Sequence, residues 1–177
     1  MNRDHRSIAL ISFLCILGAC SLYTEVIAMD TVALSSAVFT HNGSIPAKYT
    51  CDGTDVNPPL SIGNTPPGTR SLALIVDDPD APAGTWVHWV VWNIVPGTRE
   101  IKENAAPQGA QEGMNDFGKR SYGGPCPPSG SHRYFFKLYA LDAMLELKPG
   151  SNKPDLERAM KGHILAQAEL LGRYKRR

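Results

Sequence analysis

Hydrophobic segments in this chain are short and end at turn residues. Three of them, at positions 71–78, 85–93 and 132–141, are rich in β-branched and aromatic residues and are bounded by proline or glycine. This pattern predicts β-strands. Both faces of each segment are mainly apolar, so we expect the strands to lie inside a sandwich of sheets.

The C-terminal segment shows a different periodicity. Its apolar positions recur at three- and four-residue spacing, with Pro154 and Asp155 at the start and basic residues at the end. The spacing predicts an amphipathic α-helix whose end charges match the helix dipole. The positions on the predicted face are Leu156, Met160, Ile164, Gln167, Leu171 and Tyr174.

The N-terminal residues form a separate segment. An unbroken apolar run at positions 8–19 follows Arg3 and Arg6. The run is too short to cross a hydrocarbon core of about 30 Å and is typical of a signal peptide. We therefore predict a signal peptide over residues 1–19, or over residues 1–28 if cleavage follows Ala28.

The cleavage site decides how the protein is held in the cell envelope. Leu17-Gly18-Ala19-Cys20 resembles a bacterial lipoprotein box, in which the cysteine becomes the lipidated first residue. We then expect a linker over residues 20–31 and a single domain over residues 32–177, in the periplasm and anchored to a membrane through Cys20. The alternative is a soluble periplasmic or secreted protein.

Charge and cysteine content narrow the class of protein. The 177 residues contain 18 Lys and Arg and 17 Asp and Glu, a formal net charge of +1. This balance argues against nucleic acid as a partner. Cys51 and Cys126 remain after either cleavage, and an exported domain with two cysteines predicts one disulfide. Two unpaired thiols are the alternative.

Acidic and aromatic residues cluster around the end of the first predicted strand. Asp77 and Asp78 close that strand before Pro79 and Pro82 stiffen the turn. Alternation along a strand sends the two carboxylates to opposite sides. On the next strand, alternation is expected to place four side chains on one face: Trp86, His88, Val90 and Trp92.

A glycine- and proline-rich loop at positions 123–131 precedes the third predicted strand. Such a loop exposes backbone N–H groups that can hold an anion. His132 and Tyr134 share a strand face, and Arg133 points away from them, where a turn carboxylate such as Asp80 is its expected partner. The three clusters together predict a pocket for a small anionic group attached to a larger apolar or amine-bearing molecule.

These clusters resemble the two signature regions of the phosphatidylethanolamine-binding protein (PEBP) family. The signature residues are Asp78-Pro79-Asp80-Ala81-Pro82, Trp86-Val87-His88 and Gly130-Ser131-His132-Arg133-Tyr134. Further stretches are similar to the prokaryotic Raf kinase inhibitor-like branch: Tyr49-Thr50-Cys51-Asp52-Gly53, Asn57-Pro58-Pro59-Leu60, Asn115-Asp116-Phe117-Gly118 and the segment 122–128. The resemblance covers positions 34–174.

The resemblance implies a mainly β fold, an antiparallel β-sandwich with a C-terminal α-helix and few short helices. It also implies a pocket that accepts phosphate-like groups at its mouth. The pocket residues that it implies are Asp78, Trp86, His88, Gly124, Pro128, Gly130, His132 and Tyr134.

The expected function is that of an exported binding protein without a cofactor. Its ligands would be phosphorylated or carboxylated, with phospholipid head groups among them. A protease inhibitor or regulatory adaptor acting through protein contacts is the alternative, and a homodimer is compatible with the sequence. A hydrolase is disfavoured because no G-x-S-x-G motif is present. A metal site at His88, His132 and Asp78 lacks compact ligand spacing.

Overall fold

The computed structural model describes residues 31–176, so the predicted signal peptide and Cys20 lie outside the described residues. The strands are β1 (Ala33–Ser35), β2 (Gly43–Ser44), β3 (Leu60–Gly63), β4 (Ser71–Asp78), β5 (Trp86–Ile94), β6 (Glu100–Ile101), β7 (Gln111–Glu112), β8 (Ser131–Leu141) and β9 (Ile164–Lys175). One α-helix, α1 (Lys153–Met160), and one 3₁₀ turn (Ala47–Tyr49) complete the described elements. None of the helices in residues 31–176 has the length and apolar character needed to cross a membrane.

Two sheets form the mainly β fold that the sequence predicts. A six-stranded sheet has the order β2-β9-β8-β4-β5-β7, and a three-stranded sheet has the order β1-β3-β6. All pairs are antiparallel except β2 with β9. The three predicted central strands are confirmed as β4, β5 and β8.

Both faces of the larger sheet are buried at its centre, which explains why β4 is apolar on both sides. Leu72, Leu74 and Val76 pack in the core between the two sheets. Ala73 and Ile75 pack on the other face against side chains of α1. Every residue of β4 is buried, so burial on two faces replaces the alternation expected of a half-exposed strand.

A β-bulge in β5 changes which side chains share a face. Asp77 pairs with Val87 and Val76 pairs with Trp89, so His88 is the extra residue. The prediction that Val90 and Trp92 share a face with His88 is therefore wrong. Those two side chains pack on the α1 side of the sheet, while Trp89 and Val91 enter the core between the sheets.

The predicted C-terminal helix is confirmed only over Lys153–Met160 and is wrong beyond it. Gly162 adopts φ +86°, a left-handed conformation that ends the helical segment. The following residues form β9, which pairs with β8 from Ile164 to Lys175. Apolar residues at 164, 166, 168, 170 and 174 also fit a two-residue period, and the long strand β8 supplies the partner that selects it. Of the basic residues at this end, Arg173 and Lys175 thus belong to a strand.

Candidate functional site

A cavity of about 260 Å³ opens at one end of the six-stranded sheet. β4 ends there, and β5 and β8 begin there, so the side chains at three strand ends converge. The lining residues are Asp78, Ala81, Pro82, Trp86, His88, Phe117, Cys126, Pro128 and His132. Five of them are residues that the family resemblance implies: Asp78, Trp86, His88, Pro128 and His132.

A buried carboxylate–imidazole pair forms the polar centre of the cavity. The Nδ1 atom of His132 lies 2.7 Å from Oδ2 of Asp78, and the two residues are 7% and 3% exposed. The other oxygen of Asp78 accepts a hydrogen bond from the backbone N–H of Asp80 at 2.8 Å. An ionised carboxylate only accepts, so Nδ1 of His132 carries the donated hydrogen and Nε2 is left for the cavity.

His88 presents a neutral ring to the same cavity. Its Nδ1 lies 2.6 Å from the backbone oxygen of Gly123, and because a carbonyl only accepts, Nδ1 donates. Burial lowers the pKa of His88, against the smaller opposing effects of the Gly123 carbonyl and the Asp78 charge. The uncharged ring therefore offers the lone pair of Nε2 as a hydrogen-bond acceptor.

Tyr134 lies behind these two histidines, where the sequence placed it on the face of His132. The residue is fully buried, and its ring meets that of His88 edge-on at 5.2 Å between centroids. Its hydroxyl has no hydrogen-bond partner among the described residues. Burial raises the pKa of the phenol, and the nearby charge of Asp78 raises it further. The hydroxyl therefore lies next to the Asp78 carboxylate, behind the surface of the cavity.

Phe117 forms a wall of the cavity that the sequence analysis did not assign. Its ring packs edge-on against Trp86 at 5.5 Å and against His88 at 5.3 Å. The side chains of its neighbours hold it there, because Nδ2 of Asn115 donates to the His88 carbonyl and Oδ2 of Asp116 accepts from the Val87 N–H. The motif at 115–118 could have indicated this role, because it places an aromatic residue between turn-forming residues.

Three of the residues implied by the resemblance do not line the cavity: the buried Tyr134 and the two glycines. Gly124 donates its N–H to Oδ1 of Asp55 at 2.7 Å, so this amide is not free for an anion. A Cβ on Gly124 would lie 2.7 Å from the backbone oxygen of Tyr49, which explains the need for glycine. Gly130 has φ +68° and forms the turn that starts β8.

Arg133 points away from the cavity, as predicted, and pairs with Asp80. Its Nη2 lies 2.7 Å from Oδ1, and its Nε lies 2.9 Å from Oδ2. These hydrogen bonds hold the pKa of Asp80 down to about 2. No lysine or arginine is among the lining residues in the described part of the chain, so the cavity has no fixed positive charge.

The chemistry of the lining differs from that of a metal site or a serine hydrolase. Within residues 31–176, no three His, Cys, Asp or Glu side chains are grouped to hold a metal ion. Ser131, next to His132 in the sequence, lines a separate surface cavity with Ser44 and Lys175. Ser131 is thus not among the residues that line the cavity of His132.

Cys126 lines the cavity, and Cys51 lies beside it. Their Cα atoms are 5.4 Å apart, within the range that a disulfide spans. The surrounding backbone holds them together, because the Cys51 N–H donates to the Pro125 carbonyl at 3.1 Å. Tyr122 adds a hydrogen bond from its hydroxyl to the Tyr49 carbonyl at 3.0 Å.

Comparison with known proteins gives matches over most of the chain. A family model described as phosphatidylethanolamine-binding protein matches residues 35–175. A UPF0098 protein of Methanothermobacter thermautotrophicus is 51% identical over 148 residues, which cover 81% of this chain and 98% of the relative. A UPF0098 protein of Aquifex aeolicus is 50% identical over 148 residues, which cover 80% of this chain and 86% of the relative.

Two solved structures share the fold. The crystal structure of a phosphatidylethanolamine-binding protein homologue of Chlamydia trachomatis superposes with a TM-score of 0.81 at 42% identity, covering 84% of this chain and 99% of that one. YbcL of E. coli, described as a member of the mammalian PEBP family, gives a TM-score of 0.78 at 30% identity and covers 82% of this chain and 99% of its own.

Proposed function

This chain belongs to the phosphatidylethanolamine-binding protein family, and on that premise we propose that it is a binding protein whose cavity holds the phosphate or carboxylate group of a small ligand. One observation carries the proposal. The buried Asp78–His132 pair, joined at 2.7 Å through Nδ1 of His132, faces the cavity and leaves Nε2 of His132 open to it. When the imidazole carries a hydrogen on both ring nitrogens, Nε2 of His132 would donate to an oxygen of the ligand.

The rim of the cavity suits a ligand with an apolar body. Trp86 and Phe117 form one side, and Pro82 and Pro128 lie among the other lining residues. Phe117 is 39% exposed, so part of its ring is open to solvent beside the opening. Apolar contacts at the mouth and polar groups at the centre match a phospholipid head group or a phosphate ester with a hydrocarbon substituent.

Ligand titration tests the proposal. Isothermal calorimetry with phosphoethanolamine should show one site in the wild type and loss of the signal in Asp78→Asn and His88→Ala. The matched control is His163→Ala, which removes an exposed histidine paired with Asp142 at 2.8 Å, at the opposite end of β8. The control should bind like the wild type. Equal binding by all four proteins would overturn the assignment of the pocket.

We propose that this protein binds its ligand without catalysing a reaction. The lining of the cavity, within the described residues, supplies an Asp–His pair but no serine or threonine to attack a substrate. The proposal predicts no turnover of a p-nitrophenyl ester or phosphate. Turnover that disappears in His132→Ala would reverse this part of the proposal. The alternative role as a protease inhibitor or adaptor stays a prediction.

Export and a disulfide complete the proposal. We propose that the protein is carried to the cell envelope by its N-terminal segment, with a lipid on Cys20, and that Cys51 and Cys126 are bonded there. The bond would close a loop with a sequence separation of 75 residues, which stabilises a fold by roughly 4 kcal/mol in the chain-entropy model. Peptide mapping of envelope protein, alkylated before reduction, tests this. Complete alkylation of both cysteines would show that they are unpaired.

A further inference from the structure

The outer side of β9 has no partner strand over more than half of its length. Its inner side pairs with β8 from Ile164 to Lys175. On the outer side, within residues 31–176, the one paired strand is β2, which meets β9 at Gly172 and Arg173. Residues 164–170, named the open edge below, therefore extend for about 23 Å at about 3.3 Å per residue.

Backbone hydrogen-bonding groups point outward along the open edge. At Leu171, next to β2, the carbonyl accepts from the Asn42 N–H at 2.7 Å, and the Leu171 N–H donates to Nδ1 of His41 at 3.4 Å. Because hydrogen-bonding directions alternate along a strand, the N–H and C=O groups of Gln167 and Glu169 have the same outward direction. Such a row of unpaired groups is a template for another strand.

The side chains of the open edge give it little protection. Proteins usually protect a long edge with charged residues, proline or a bulge. The open edge has one charged residue, Glu169, and its register shift makes Leu165 an extra residue near the start of the strand. Ile164 and Leu165 are each 45% exposed. Apolar surface and unpaired backbone groups thus lie side by side.

The other strands at sheet edges are too short to pair in the same way. Among the described strands, β2, β6 and β7 have two residues each, and β1 has three. The described part of each molecule therefore offers one long edge. Two copies that join through this edge leave no long edge free, so the assembly closes as a two-fold dimer and does not grow into a fibre.

We infer that two copies of this chain form a dimer by antiparallel pairing of their open edges, so that one continuous sheet runs through both molecules. Charge favours the antiparallel direction, because it brings Glu169 of each copy toward the end of the other that begins at Lys161. A parallel direction would place the two Glu169 carboxylates together. Neither Lys161 nor Glu169 has an ion pair within the described part of the chain.

The inferred dimer goes beyond the proposed function and leaves the ligand cavity open. The open edge covers the first residues of β9, whereas the cavity lies where β8 begins, at the end of the sheet where Ser131 pairs with Lys175. Dimerisation and ligand binding can therefore be measured independently of each other.

Sedimentation velocity on protein purified from the cell envelope tests the inference. At concentrations up to about 100 μM, the wild type should show an equilibrium between monomer and dimer. Leu165→Lys should weaken dimerisation by at least about tenfold, because each dimer loses two apolar contacts and gains two charges at the paired edges. The matched control is Val95→Lys, which changes an apolar residue that is 55% exposed and follows β5, with β4 and β8 between it and β9. The control should dimerise like the wild type.

Hydrogen exchange locates the contact. The amides of residues 164–170 should become more protected as the concentration of wild-type protein rises, and this gain should shrink in Leu165→Lys. A wild type that stays monomeric would overturn the inference. Protection that does not depend on concentration would also overturn it, because the open edge would then be covered within one molecule. So would a dimer that forms equally well in Leu165→Lys, because its contact would lie elsewhere. Titration with phosphoethanolamine tests the proposed function separately, and Leu165→Lys should bind like the wild type.

Discussion

Asp77 and Asp78 are neighbours in one strand, yet the structure uses their carboxylates differently. Both are buried, at 0% and 3% exposure, and alternation places them on opposite faces of β4. Oδ2 of Asp77 accepts from Nζ of Lys137 at 2.9 Å and from Nζ of Lys153 at 2.5 Å. Asp78 instead meets an imidazole and a backbone amide in front of an open cavity.

The difference lies in what surrounds each charge. Lys153 is the first residue of α1, so Asp77 connects the helix to the sheet. Lys137 also lies 2.8 Å from the other oxygen of Asp77, without aligned hydrogen-bond geometry. Two ammonium groups more than offset this carboxylate, whereas Asp78 has one titratable partner. Burial alone therefore does not identify a ligand-binding carboxylate. The charges of its partners and the presence of a cavity in front of it identify one.

Replacing Asp77 should have the largest effect on stability. In Asp77→Ala, the two partly buried lysines lose their counter-charge, and removing one partner of a buried ion pair costs about 3–5 kcal/mol. We expect a loss near the lower end of that range, about 3 kcal/mol, because Lys137 can reach solvent. Urea unfolding measures it. Phosphoethanolamine binding by the folded variant should be retained, and a loss below about 1 kcal/mol would contradict the structural role.

Replacing Asp78 should reduce stability less than replacing Asp77 does, and it should reduce ligand binding more. In Asp78→Asn, the amide oxygen can still accept from the Asp80 N–H, so we expect a stability loss of about 1–2 kcal/mol, as for one weakened buried hydrogen bond. Ligand binding should be lost. Urea unfolding and calorimetry on the same preparations measure both effects. A stability loss equal to that of Asp77→Ala, with binding intact, would remove the distinction between the two carboxylates.

The placement of Asp77 and Asp78 on opposite faces of β4 could be predicted from the sequence, because it depends only on strand alternation. The central strands were also predictable, since residues buried on two faces are apolar without a break. The partners of the two carboxylates were not, because Asp78 and His132 are 54 positions apart. Their contact depends on the pairing of β4 with β8, which no local spacing encodes. The family resemblance implied only that the two residues lie at one pocket.

Three features of the fold could not be predicted from the sequence patterns, for related reasons. The bulge at His88 breaks alternation, and a pattern analysis assumes an unbroken register. The apolar positions of β9 fit a helix as well as a strand, and pairing with β8 decides between them. Phe117 reaches the cavity only because Asn115 and Asp116 fix its loop to β5. Each feature depends on contacts between distant segments.

His88 should make stability depend on pH. Its pKa is lowered in the folded protein, so the unfolded chain takes up a proton at a higher pH than the folded chain does. Stability therefore falls as pH drops below about 6.5, by at most about 1.4 kcal/mol per pH unit. In His88→Gln this part of the slope should disappear. Urea unfolding of both proteins from pH 7 to pH 5 measures it, and parallel profiles would show that His88 is protonated alike in both states.

Asp80, the third carboxylate of the same turn, should give the smallest effect. Its ion pair with Arg133 is partly open to solvent, with side-chain exposures of 28% and 43%, so water and salt screen it. The pKa of Asp80 is lowered from 3.8 to about 2, so the stabilisation is present above the higher value and is lost as pH falls toward the lower one.

Asp80→Asn should destabilise the protein less than Asp78→Asn at neutral pH and should flatten only the acid end of the stability profile. Urea unfolding between pH 5 and pH 2, at low and high salt, measures both. If Asp80→Asn instead abolished phosphoethanolamine binding at neutral pH, the Arg133 pair would be part of the pocket, and the contrast between the closed Asp77 and the open Asp78 would have to include it.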